Sequence, residues 1–188
     1  MVGQNMFRHL TLAFALALLA LPAFAQQSEK VDRPLDVQSS VGDLHVGKDA
    51  DAQKAGLPLY PGARPYKEKD NDPLNLGIFT EAFGLKLVVA KYETDDSPAK
   101  VLDFYRDKMR KYGKVLECRD KDGSDHTGND DDPNKPIKCE GDQTGPVREL
   151  KVGTEGNAHI VAIDNPDSSK GATFAIVYLH RRGKSGVI

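Results

Sequence analysis

Six aspartates crowd one short stretch of the chain: Asp120, Asp122, Asp125, Asp130, Asp131 and Asp132, with Asn129, Asn134 and several glycines between them. Hard carboxylate and carbonyl oxygens at that density are the donor set Ca²⁺ takes, so calcium is the cofactor this segment would select. Placing Asp120 at the first position of a helix–loop–helix calcium loop puts Asp122 third and Ser124 fifth. Asp125 then stands where the loop needs glycine, and Asp131 where it needs a bidentate glutamate. The pattern fails at its two most diagnostic places. A solvated acidic loop without cofactor is the competing reading, and charge runs favour it.

Cys118 and Cys139 bracket this stretch and are the two cysteines of the chain. Their spacing is too wide for a redox Cys-x-x-Cys pair. In an oxidising compartment an even pair reads as a structural disulfide. The bridge would close a loop of about 22 residues, worth about 3 kcal/mol in the chain-entropy account. Five histidines are present. His45, His126, His159 and His180 lie far apart in sequence, without the short spacings of a zinc site. His159 and His180 begin and end neighbouring strand segments and would meet if those strands pair. Histidines at the surface or at strand ends are the reading their spacing favours.

No Gly-x-Ser-x-Gly elbow occurs, no phosphate-cradling glycine loop followed by Lys and Ser or Thr, and no His-Glu-x-x-His. The residues therefore lean away from an enzyme, with catalytic residues unassigned. A hydrolase built from scattered Ser, His and Asp is the alternative, because such triads are defined by geometry rather than order. The formal charge of −2 lacks the basic field of a nucleic-acid binder. Arg181, Arg182 and Lys184 near the end make only a weak basic cluster.

The first segment positions nothing in the fold; it is an address. Arg8 precedes an apolar run from Leu10 to Leu21, and Ala23-Phe24-Ala25 is a small-x-small end. This is the pattern of a secretory signal peptide over residues 1–25, cleaved after Ala25. The run is shorter than the roughly 20 residues a spanning helix needs. No second apolar span follows, so the mature chain is expected to carry no transmembrane segment and to be exported, periplasmic or secreted.

The elements behind it follow in order. Residues 26–56 read as a leader, with a short hairpin over Leu35–Val46 turning at Gly42-Asp43 and a helical turn over Asp49–Ala55. Residues 57–182 read as one domain carrying the disulfide-bounded acidic insert 118–139, and residues 183–188 as a mobile tail. Within the domain, Tyr60-Pro61-Gly62-Ala63 is a type II turn sequence. Strands are expected at Leu76–Thr80, Leu85–Thr94, Val115–Arg119, Arg148–Val152, His159–Ile163 and Thr173–His180.

The segment Asp95–Gly113 is the helix. Ser97 suits the N-cap and Pro98 the first helical position. Val101, Leu102, Phe104, Tyr105, Met109 and Tyr112 fall within an arc of about 160° at helical spacing. The aspartates before it and the basic residues after it match the helix dipole, and Gly113 is a stop. The sum is an α+β domain: a mainly antiparallel sheet of about six strands with one amphipathic helix on one face.

Leu57-Pro58-Leu59-Tyr60-Pro61-Gly62-Ala63, then Lys91-Tyr92-Glu93-Thr94-Asp95-Asp96-Ser97-Pro98, then Lys100-Val101-Leu102-Asp103-Phe104-Tyr105 together resemble a family of short exported bacterial proteins without assigned function. In those a "YPGA" turn is followed by a "DSP…FY" helix. The resemblance runs from about Leu57 to Gly113, with Glu149–Thr154 as an echo in the closing strands. It implies a small envelope-associated domain and carries over no catalytic residue. The expectation is an exported, non-enzymatic binding or structural envelope domain, whose partner would be an envelope component or a small ligand.

Overall fold

Helix α1 runs Pro98–Met109, with Pro98 in its first turn and Ser97 in an extended conformation before it. The Ser97 carbonyl accepts the Lys100 and Val101 N–H groups, while its side chain makes no capping bond. The last turn tightens into a 3₁₀ turn, Arg110–Tyr112, and the chain turns away at Gly113. Val101, Leu102, Tyr105 and Met109 are buried. Phe104 is half-buried and Tyr112 is 37% exposed, so the inward stripe is narrower than the sequence periodicity. Asp107 pairs with Lys108 and Arg110, while Lys111 donates to the Gly56 carbonyl.

The computed structural model describes residues 34–67, 72–119, 132–141 and 143–183, all within one unit spanning Val31–Ile188. Among the described residues nine strands form a single sheet: β1 Leu35–Ser39, β2 Gly42–Gly47, β3 Arg64–Pro65, β4 Leu74–Phe79, β5 Gly84–Thr94, β6 Leu116–Cys118, β7 Glu149–Thr154, β8 Asn157–Ile163 and β9 Ala172–Arg182. Their order is β1-β2-β4-β5-β9-β8-β7-β6, with β3 added on β5, and every pairing is antiparallel.

An α+β architecture is correct, but nine strands replace about six. The hairpin β1–β2 joins the sheet through β2, which sets Leu44 opposite Ile78 and Val46 opposite Leu76. Its turn is Ser40-Val41, closed by the Ser39–Gly42 pair, so Gly42 and Asp43 already lie in β2. β3 is two residues long, too short to show any alternation. Residues 35–56 therefore belong to the same sheet and core as the rest.

One face of the sheet carries α1, which packs over β7, β8 and β9, together with the segment 49–60. Ala52, Ala55, Leu57 and Tyr60 from that segment share a core with Val88, Tyr92, Tyr105, Leu150, Val161, Phe174 and Ile176. Each large apolar side chain so buried contributes about 1.5–3 kcal/mol. Two sequence motifs meet here. In the Tyr60–Ala63 turn the Ala63 N–H donates to the Tyr60 carbonyl, and Gly62 takes the φ of +77° that a type II turn needs at its third residue. The Tyr60 N–H donates to the Tyr105 hydroxyl at 3.1 Å, and the Tyr60 hydroxyl donates to Asp96 Oδ2 at 2.9 Å. The turn is thereby bonded to the N-terminal flank of the helix at Asp96 and to its body at Tyr105. Burial pushes the Tyr105 and Tyr92 phenols up from their ordinary range, so both stay protonated.

Candidate functional site

The central strands are apolar on both faces, a pattern that calls for cover on both sides. In β5, Val88, Ala90 and Tyr92 point toward the helix, while Leu85, Leu87 and Val89 point away. Register carries that second set across the sheet. Leu87 lies between Leu76 and Leu179, and Val89 between Leu74 and Val177. Ile160 sits opposite Val177, and Ala158 opposite Leu179. Leu44 and Val46 extend the stripe to β2, and Leu35 and Val37, both exposed, extend it to the edge strand β1. No described helix covers this face.

What crosses it is the return limb of the insert, residues 132–141. Its backbone is tied to the β7–β8 turn: Glu155 N–H donates to the Lys135 carbonyl at 2.9 Å, Ile137 N–H to the Gly153 carbonyl at 3.2 Å, and Pro136 bridges Thr154. Gly156 is where the limb comes closest. Its N–H donates to the Pro133 carbonyl, and a Cβ there would sit 2.4 Å from the Pro133 Cβ. The Cys118–Cys139 disulfide anchors the far end of the limb to β6. The expected bridge is formed.

Between limb and sheet lies a groove of about 360 Å³. Its floor is Leu87, Ile160, Ala162, Val177 and Leu179, and Ile137 forms the wall. Lys138, Glu140, Glu149 and Glu155 stand among the polar lining. Glu149 is held by the buried Lys151 at 2.8 Å. Among the described residues the lining contains no aromatic ring.

The proposed calcium ligands Asp120, Asp122, Asp125, Asp130 and Asp131 lie outside the described residues. Asp132 is exposed, and its carboxylate accepts the Asn134 N–H at 2.9 Å, a local turn contact. Among the described residues no three His, Cys, Asp or Glu side chains converge as a metal site. The signal cleavage position Ala25, His126 and the tail beyond Gly183 are likewise outside the described residues.

His45 sits in a surface network, 2.6 Å from Asp36 and 3.1 Å from Asn75. The other two described histidines do come together. β8 and β9 place His159 opposite Tyr178 and Asn157 opposite His180, on the helix side of the sheet. The rings form a ladder: Tyr112 on His159 at 3.7 Å between centroids, His159 on Tyr178 at 4.7 Å, and Tyr178 near His180 at 6.4 Å, all within 26° of parallel. His159 is buried, and its Nδ1 donates to the Ala55 carbonyl at 2.9 Å. Burial pushes its pKa below the usual imidazole range, and the Ala55 bond only partly opposes this. The sequence does not mark Tyr112 and Tyr178 as partners of the histidines. The alternation of Tyr178 with His180 on β9 was the available signal.

Among the described residues no serine hydroxyl bonds a histidine. Ser39 Oγ donates to the Gly42 carbonyl, and Ser168 Oγ to the Lys170 carbonyl. Comparison with protein families, with curated proteins and with solved structures finds no match for this chain.

Proposed function

We propose that this is an exported, non-enzymatic binding domain that seats a single aliphatic chain, such as the acyl chain of an amphiphile, in the groove beneath residues 132–141. The observation that carries the reading is the groove's lining: branched aliphatic side chains on a rigid sheet floor, walled by a segment the disulfide anchors. Its volume of about 360 Å³ falls at the small end of ligand pockets, the scale of one chain rather than a folded partner. Protein interfaces are marked by Tyr, Trp and Arg anchors, and among the described residues of this lining Arg181 alone is of that kind. Export is supported by the signal-like N-terminal segment, by a disulfide that an oxidising compartment preserves, and by the absence of any described helix long and apolar enough to cross a membrane.

Titration of residues 26–188 with saturated fatty acids of increasing length tests the reading. Affinity should rise about fourfold for each added methylene while the groove still has floor to offer, from about 0.8 kcal/mol per buried CH₂. Val177→Asn, at the centre of the floor, should abolish the gain. Affinity that ignores chain length, or that survives Val177→Asn, would sink the assignment.

A further inference from the structure

The opposite face carries a second cavity. A cleft of about 550 Å³ opens beside the ring ladder, lined by Tyr112, Asn134, Asn157, His159, His180 and Arg182 and by backbone of the β7–β8 turn. Among the described residues no aspartate or glutamate contributes to its lining. Of the cations in or beside it, Arg182, Lys86 and Lys111 show no ion pair among the described residues. Arg182 gives one guanidinium nitrogen to the Thr80 carbonyl, at 3.0 Å. Lys86, opposite His180 across β5 and β9, holds its ammonium 5.8 Å from the Tyr178 ring centre. Lys111 sits over Tyr112 and donates to the Gly56 carbonyl. Elsewhere on the surface Lys48, Lys54, Arg64, Lys91, Lys100 and Arg106 are each matched to an acid. Among the described residues these three charges are not matched to an acid, and unmatched positive charge is what recognises an anion.

The two imidazoles supply the rest of the selectivity. Both faces of His159 are covered by rings, and its Nδ1 proton is held by Ala55. The edge left to the cleft is therefore the Nε2 edge, an acceptor in this tautomer. His180 is fixed by no such bond, because its Nδ1 is buried without a partner. Its ring can present an N–H to the cleft without breaking anything. An acceptor set beside donors and cations suits a ligand that has both an oxyanion and a hydroxyl group.

We infer that this cleft binds a hydroxylated oxyanion, of the polyol phosphate or hydroxy acid type, with Arg182, Lys86 and His180 facing the anion and His159 accepting the hydroxyl. The same chemistry is offered by a free metabolite or by the glycerol phosphate headgroup of a lipid. The inference stands independently of the aliphatic groove, which lies on the other face of the sheet.

Calorimetry of residues 26–188 with glycerol 1-phosphate and with glycerate tests the soluble source. Sedimentation with phosphatidylglycerol vesicles against phosphatidylcholine vesicles tests the headgroup. Binding in either arm should weaken about tenfold or more in Arg182→Gln, the loss expected for a charge-assisted hydrogen bond. Lys86→Gln serves the same purpose should the first variant fold poorly, and binding should fall as salt rises. Lys170→Gln, at an exposed position outside both cavities, should leave it unchanged. Absence of binding in both arms, or binding that survives the Arg182→Gln/Lys86→Gln pair, would overturn the inference.

Discussion

Tyr105→Phe removes one oxygen atom from the middle of the core and nothing else. Tyr105 is fully buried, and its hydroxyl accepts the Tyr60 N–H across a separation of 45 residues. The ring contacts, 5.0 Å to Phe104 and 5.7 Å to Phe174 between centroids, are retained by phenylalanine. What is lost is the partner of a backbone donor on a residue itself only 7% exposed. A buried N–H stripped of its acceptor costs about 1–3 kcal/mol, more than the net worth of the bond. Urea unfolding followed by circular dichroism should show the midpoint falling accordingly with the slope unchanged, since the surface exposed on unfolding is the same. Tyr60→Phe is the calibrating variant. It removes the bond to Asp96 at a partly buried site where Lys100 still holds the carboxylate, so it should cost only about 0.5–1.5 kcal/mol. A Tyr105→Phe protein within about 0.5 kcal/mol of the parent, the usual surface value, would refute the claim that this bond fastens the turn to the helix.

Two further outcomes follow from the same geometry. Replacing both cysteines with serine should cost about 3 kcal/mol by chain entropy, and fatty-acid affinity should fall with it because the 132–141 wall loses its anchor to β6; unchanged affinity would separate the wall from the disulfide. His159 binds fewer protons folded than unfolded just below its ordinary range, so its contribution is fully present above about pH 6.5 and is lost as pH falls from there toward the depressed native value. Melting temperatures from pH 7.5 to 5 should carry that slope in the parent and a shallower one in His159→Gln, and equal slopes would contradict it.

Helix α1 was legible because its information is local. Ser97-Pro98 starts it, a stripe at helical spacing faces it inward, and Gly113 ends it, all within one short window. The disulfide was legible from cysteine count and compartment, which need no geometry. The double apolar character of β9 was also visible in its residues, and it does lie centrally, between β5 and β8. The candidate site was less so. The acidic insert drew attention through composition, yet the described part that reaches a cavity is its return limb, through Ile137, Lys138 and Glu140.

By itself, then, the chain's order of residues determined the helix, the longer strands and which side chains share a face on them, because capping, periodicity and turn chemistry act over a few residues. It could not determine what each face meets. Leu87, Val177 and Ile160 become one floor, and Tyr112, His159, Tyr178 and His180 one ladder, only through pairings between segments far apart in sequence. Those pairings depend on which strands find each other and in what register, and a shift of one residue would turn every one of these side chains to the other face. That choice belongs to the sheet as a whole, so only the tertiary structure decided that a groove forms on one face and a cleft on the other.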